Sequence, residues 1–136
     1  MPQFPQIVQC PLPAATDISA GRAVTSDGSN TILISDTDQA TTQQTFSLGV
    51  TINDTLEGGY PVIATVGDNV NFVSSGAVAI GDLLVPKYSA SASIAGCLMA
   101  VTSHAVGDQI VAIATTASAA GGGGKCRLIG HQLKFA

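Results

Sequence analysis

Apolar residues in this chain recur at every second position or in short runs, and no stretch shows the three-to-four-residue spacing of a helix. "FSLGVTIN" places Leu48, Val50 and Ile52 on one face and Gly49, Thr51 and Asn53 on the other, which is strand periodicity. "YPVIATV", "VNFVS", "DLLVPK", "CLMAVTS" and "QIVAIATT" are short, rich in Val, Ile and Thr, and bounded by Gly, Asp, Asn or Ser. Several short strands between such turns predict an all-β fold, a small β-barrel or tulip-like sandwich. A chain of 136 residues is about one domain, long enough for a real core.

The pattern is also stated twice. "AGRAV" at 20–24 lines up with "IGDLL" at 80–84, "LGVT" at 48–51 with "MAVT" at 99–102, and Gly59 before "YPVIAT" with Gly107 before "DQIVAIA". The first copy carries a longer polar excursion, "SDTDQATTQQT", of the kind a surface loop tolerates. Two similar halves follow, related by a pseudo-twofold so that each covers the other's apolar face. Gly21, Gly59, Gly81 and Gly107 serve the turns before strands.

Two segments flank this core. Residues 1–17 hold four of the six prolines and read as an extended, polyproline-like amino-terminal arm, with Phe4, Ile7, Val8 and Leu12 as apolar anchors. The anchors dock on a neighbour or on the chain's own body, and removal of residues 1–17 is expected to leave a folded domain. Residues 18–117 form the β domain. Residues 118–136 make a hinge at Gly121 to Gly124 and a further strand, "CRLIGHQLKF", which closes the domain or crosses to another subunit.

Charge narrows the function classes. Charged residues are 10 % of the chain, against about 25 % in an ordinary soluble domain, so much of the surface is expected to lie against other proteins. No run approaches the roughly 18 apolar residues of a membrane span. A net charge of −4 with five basic residues argues against nucleic acid. Lys125, Arg127 and Lys134 make the tail locally basic, either a solvated terminus or a contact for an acidic partner surface. Cys10, Cys97 and Cys126 lack CxxC spacing, which points to neither a disulfide framework nor a zinc site and favours a reducing, intracellular origin. "MPQFPQIVQCPLP" has no basic region followed by an apolar one, so no secretion signal is read there.

Chemistry-bearing patterns are weak. "GGGGKC" fails as a phosphate loop, because Ala119 and Cys126 stand where a Gly and a Ser or Thr are needed. Cys97 and His104 lack a third, orienting group and read as a small buried thiol and a turn histidine; His131 reads as solvated. Asp27 and Asp38 in "SDGSN" and "SDTD" are ordinary turn formers rather than a calcium loop, and Asp82 and Asp108 follow the repeated glycines as turn stabilisers. Glu57 is the sole glutamate, which excludes a paired Glu acid and base. The sequon Asn53 to Thr55 has no meaning without secretion. The expectation is therefore no catalytic residue, no cofactor and no metal.

The stretch "GVTINDTLEGGYPVIATVGDNVNFVSSGAVAIGDLLVP" resembles the capsid decoration, or cement, proteins of tailed bacteriophages. The shared cadence is Ala20 and Gly21 before an apolar strand, Gly49 to Thr51 on a core strand, Gly81 and Asp82 opening another, and Val106 to Asp108 before a Val-rich one. It spans residues 18–116, leaving out the proline-rich arm, the tetraglycine and the basic tail. The resemblance implies a non-enzymatic virion protein on the outer surface of an icosahedral head. It would cement neighbouring capsomers of the major capsid protein as a homo-oligomer, a trimer before a dimer. The arm anchors and the basic tail residues would make the contacts. The alternative is a virion-exposed β-sandwich binding module, either a head fibre base or a carbohydrate-binding adsorption protein. The absence of Trp, with only Tyr60 and Tyr88 for stacking, lowers the sugar-binding option.

Overall fold

The computed structural model describes residues 4–35, 47–101 and 109–134, with side chains as far as Ile129. Within them lie ten strands: β1 (Ile7–Gln9), β2 (Ala23–Ser26), β3 (Thr31–Leu33), β4 (Gly49–Thr51), β5 (Val62–Ala64), β6 (Gly67–Val73), β7 (Leu83–Pro86), β8 (Leu98–Ala100), β9 (Gln109–Ala114) and β10 (Gly123–Lys134). They form two antiparallel five-stranded sheets, ordered β1-β5-β4-β2-β3 and β6-β10-β9-β7-β8. Both sheets are open, so the all-β expectation is met as a tulip-like sandwich and not as a closed barrel.

The second sheet repeats the first strand for strand, in the same order and register. Ala23 pairs with Val50 and Val50 with Ala64; Leu83 pairs with Ile113 and Ile113 with Arg127. Val24 pairs with Leu33 and Gly49, as Leu84 does with Ala100 and Ala112. Isolated bridges recur too: Ala14 to Thr31 and Ser74 to Leu98 are parallel, Ile18 to Thr55 and Val78 to Ser118 antiparallel. Gly21 and Gly81 occupy the same turn with φ of 83° and 89°, where a side chain would be strained.

Two of the three sequence alignments between the halves are thereby corrected. Gly21 does match Gly81, but Gly49–Thr51 matches the end of β9 rather than residues 99–102, and β5 matches β10 rather than residues 109–114. Short Val- and Ala-rich strands resemble one another by composition alone. The ladder, which sequence does not display, decides their pairing. The tetraglycine is not a hinge. The Gly122 N–H donates to the Ala119 carbonyl at 2.9 Å and the Gly121 N–H to the Ser74 carbonyl at 2.9 Å, while Gly123 opens β10 between β6 and β9.

The proline-rich segment is likewise built in. The Cys10 N–H donates to the Pro61 carbonyl at 2.8 Å, Ala14 to Gly59 at 2.7 Å and Thr31 to Pro13 at 2.8 Å, so the non-proline donors are used while the prolines need none. Cys10, Ala14 and Ile18 are buried against Val24 and Ile63 in a cluster of their own. Deleting residues 1–17 would uncover that cluster; the expectation of an unharmed domain is withdrawn.

A larger core joins the sheets. It takes Ala23, Val50 and Ala64 from the first sheet and Val70, Phe72, Leu84, Ala112, Ala114, Cys126 and Leu128 from the second, with Val78 beside them. These faces are not equivalent. Val24 and Ile63, the counterparts of Leu84 and Cys126, lie on the other face of their sheet. The halves therefore pack head to tail rather than about a pseudo-twofold, which would bury matching positions equally.

Arg22 ties the junction. Its Nη1 donates to the Ala92 carbonyl at 2.7 Å and the Ala95 carbonyl at 3.0 Å, and its Nη2 to Ser93 at 2.8 Å. Its Nε is buried without an acceptor, so one donor's desolvation offsets part of the gain. The backbone completes the seam: Ala23 N–H to Gly96 carbonyl at 2.8 Å and Val73 N–H to Gly21 carbonyl at 3.1 Å. Arg22→Ala is expected to cost about 2 kcal/mol by urea unfolding, and Arg22→Lys to recover less than half, since an ammonium cannot span three carbonyls in one plane.

The three thiols are free and buried. Burial raises the pKa of each, that of Cys126 from 9.0 to about 12; a Thr31 hydrogen bond at Cys10 and the Arg22 charge near Cys97 oppose the rise. The native state thus holds thiol protons that the unfolded chain releases near pH 9. Stability is expected to be unaffected by these groups below pH 9 and to fall above it. Cys126, whose pKa is displaced to about 12, contributes most of that fall. Urea titrations from pH 8 to 11 on wild type and Cys126→Ala measure the difference in slope.

Candidate functional site

Exposed apolar side chains are spread over the described surface, Leu48, Ile52, Leu56, Tyr60 and Ile94 among them, and two groups stand on elements that the fold sets apart. The first is the open face of the second sheet. Ala23, Val50 and Ala64 in the first sheet are all 0 % exposed, whereas the matching row in the second has Leu83 at 42 %, Ile113 half-buried and Arg127 exposed. Ile80, in the turn before Leu83, is 72 % exposed. A side chain on Gly21 would meet the Val73 backbone nitrogen at 2.9 Å, while around Gly81 there is nothing within 4 Å.

The second place is the amino-terminal edge. Phe4 is 87 % exposed, and Ile7 and Val8 on β1 are nearly half exposed, while Leu12 is half-buried. β1 forms the rim of the first sheet through Ile7 to Ala64, Val8 to Ile63 and Gln9 to Val62. Pro5 and Pro11, flanking it, carry no N–H and shorten the edge available to an added strand.

The remaining sequence candidates separate. Lys125 and Arg127 lie on β10, Lys125 opposite Asn71 and Arg127 opposite Ile113, and Arg127 pairs with Asp68 at 3.4 Å. They belong to the open sheet face, not to a solvated tail. Lys134 ends the same strand, its side chain beyond the described ones. At Gly59 an added Cβ would lie 3.1 Å from the Leu56 carbonyl, and the left-handed residue of that turn is the neighbouring Gly58, with φ of 85°. Gly107, His104, Asp38 and Asp108 lie outside the described residues, and the side chain of His131 does too.

A cleft of about 300 Å³ among the described residues is lined by Asp17, Arg22, Leu33, Asp54 and Ala92 among others. Its polar groups are already engaged: Asp17 Oδ1 accepts from the Glu57 N–H at 2.8 Å, Asp54 Oδ1 from Ala20 at 2.8 Å, and Arg22 is committed to its carbonyls. Asp27 Oδ1 accepts from the Ser29 and Asn30 N–H groups, which lowers its pKa, and Asp82 Oδ2 accepts from Ala79; both hold turns. Cys97 is 2 % exposed and its thiol stays protonated, the reverse of what a nucleophile needs. Among the described residues no group of three His, Cys, Asp or Glu could hold a metal.

Sequence reading missed Ile80, Leu83 and Ile113. Their alternation looks like any core strand, and the contrast with Ala23, Val50 and Ala64 shows only when the two ladders are laid side by side.

No protein-family model matches the sequence, and no curated protein is similar to it. Among solved structures, the fold is similar to that of the head fiber gp8.5 N base in bacteriophage phi29. The TM-score is 0.62 at 12 % identity, over 95 % of this chain and 99 % of that one.

Proposed function

We propose that this chain is a structural protein of a tailed-phage virion, held on the outside of the head as the base of a fibre. The observation that carries the reading is the likeness to a head fibre base over nearly the full length of both chains. The decoration-protein cadence of residues 18–116 leads independently to the same outer surface. The chemistry agrees: carboxylates spent on turns, buried protonated thiols and apolar side chains at a rim suit attachment better than turnover.

Phe4, Ile7 and Val8 are the anchors for the major capsid protein in this reading. Burying a large side chain supplies about 1.5–3 kcal/mol, and few such residues dominate an interface. Several such contacts on one shell act at high effective concentration, so each need only be weak.

Cementing of capsomers is the second reading, favoured by the sequence cadence, and one experiment separates the two. Purified protein is added to expanded heads of its own phage that lack it. Binding that saturates at a simple ratio to the coat subunit is expected, with the heads' heat resistance unchanged for a fibre base and raised for a cement. Phe4→Asp is expected to weaken binding by about tenfold or more while leaving the unfolding midpoint of the free protein in place. Absence of saturable binding by the wild type overturns both readings.

A further inference from the structure

We infer that the cleft at the seam of the two halves, between Asp17, Asp54 and Leu56, receives an arginine side chain of a partner protein. That role is independent of attachment to a head.

The repeat isolates the residues that matter. Ile18 and Thr55 exchange backbone hydrogen bonds as Val78 and Ser118 do, and the Gly58 N–H donates to the Ala14 carbonyl as the Gly121 N–H does to that of Ser74, each at 2.9 Å. Both glycines are left-handed, with φ of 85° and 74°. The same turns therefore stand in both halves, and each position there has a counterpart: Asp17 with Ala77, Asp54 with Ala117 and Leu56 with Ala119. Alanine suffices for this backbone in the second half. Two carboxylates and a leucine 75 % exposed are more than the turns of the first half require.

These three side chains line one cleft of about 300 Å³, together with Arg22, Leu33 and, from the second half, Ala92. Asp17 and Asp54 each commit Oδ1 to a backbone N–H, of Glu57 and of Ala20, at 2.8 Å, which holds the carboxylates in place. Their Oδ2 atoms have no hydrogen-bond partner among the described residues. Arg22 turns both Nη atoms to carbonyls of the second half, and its Nε is buried out of reach of a ligand.

What the cleft leaves over is thus charged acceptor. It suits a group that donates and does not accept, and the two carboxylates exceed the Arg22 guanidinium by one negative charge, which one monovalent cation cancels. A guanidinium has five donors in a fixed fork, is less strongly hydrated than an ammonium, and serves two separate acceptors at once. Its aliphatic stem lies on apolar surface, which Leu33 and Leu56 supply. A bare metal ion finds too few ligands, since no group of three His, Cys, Asp or Glu gathers among the described residues.

The test uses the full chain without heads. Amide NMR spectra of the labelled protein are followed as acetyl-Gly-Arg-Gly-amide is added, and saturable shifts are expected at Ala20 and Glu57, whose N–H groups donate to the two carboxylates. The citrulline peptide, which keeps the stem and loses the charge, is expected to bind about tenfold or more weakly. The double variant Asp17→Ala, Asp54→Ala is expected to fold, as the second half does with alanine at both places, and to lose affinity by a similar factor. Should it fail to fold, Leu56→Lys, at an exposed side chain, sets a competing cation at the rim and is expected to weaken binding likewise. Absence of saturable shifts at those amides, equal binding of the citrulline peptide, unaltered affinity in the folded variant, or tighter binding of free spermidine than of the arginine peptide overturns the inference.

Discussion

The seam between the halves is the contact on which the rest of the molecule depends. Three small side chains, Ala23, Val50 and Ala64, are small enough to let the second half approach the first sheet at backbone distance. Removing apolar surface from water there drives the packing, and Arg22 gives it direction by gathering the carbonyls of Ala92, Ser93 and Ala95. A five-stranded sheet of three- and four-residue strands has little to offer alone. Joined to a second across one core, it becomes a stable body.

Duplication explains both the economy of the fold and its asymmetry. Each half brings a segment, 10–18 or 72–78, against one face of its sheet, and the first half meets the second with its other face. Within one chain that arrangement can be satisfied only once. The first half has its meeting face filled, while the second shows Leu83 and Ile80 to the surroundings. Few charges on such a surface are consistent with a life in contact, the proposed place of this protein on a virion.

Much of the fold was legible from the chain. Period-two alternation around Val50, Val- and Ile-rich runs and the glycine punctuation at Gly21 and Gly81 led to an all-β sandwich of two similar halves. The candidate surface was legible in part: Phe4, Ile7 and Val8 were singled out and are exposed, whereas Lys125 and Arg127 were assigned to a tail and sit mid-sheet. The tetraglycine misled because glycine's freedom suggests a joint, yet the Ala119 and Ser74 carbonyls hold its N–H groups in a turn.

Sequence by itself determined the local geometry: where strands run, where turns need a left-handed residue, and that one pattern occurs twice. These follow from the two-residue repeat of a strand and the steric limits of the backbone, which act over a few neighbours. Tertiary structure alone decided which strands pair, which face of each half is covered, and that the halves meet unlike face to unlike face. Those outcomes rest on ladders and packing between residues far apart in the chain, and Leu83 and Ala23 differ in exposure only because something lies on one and not on the other.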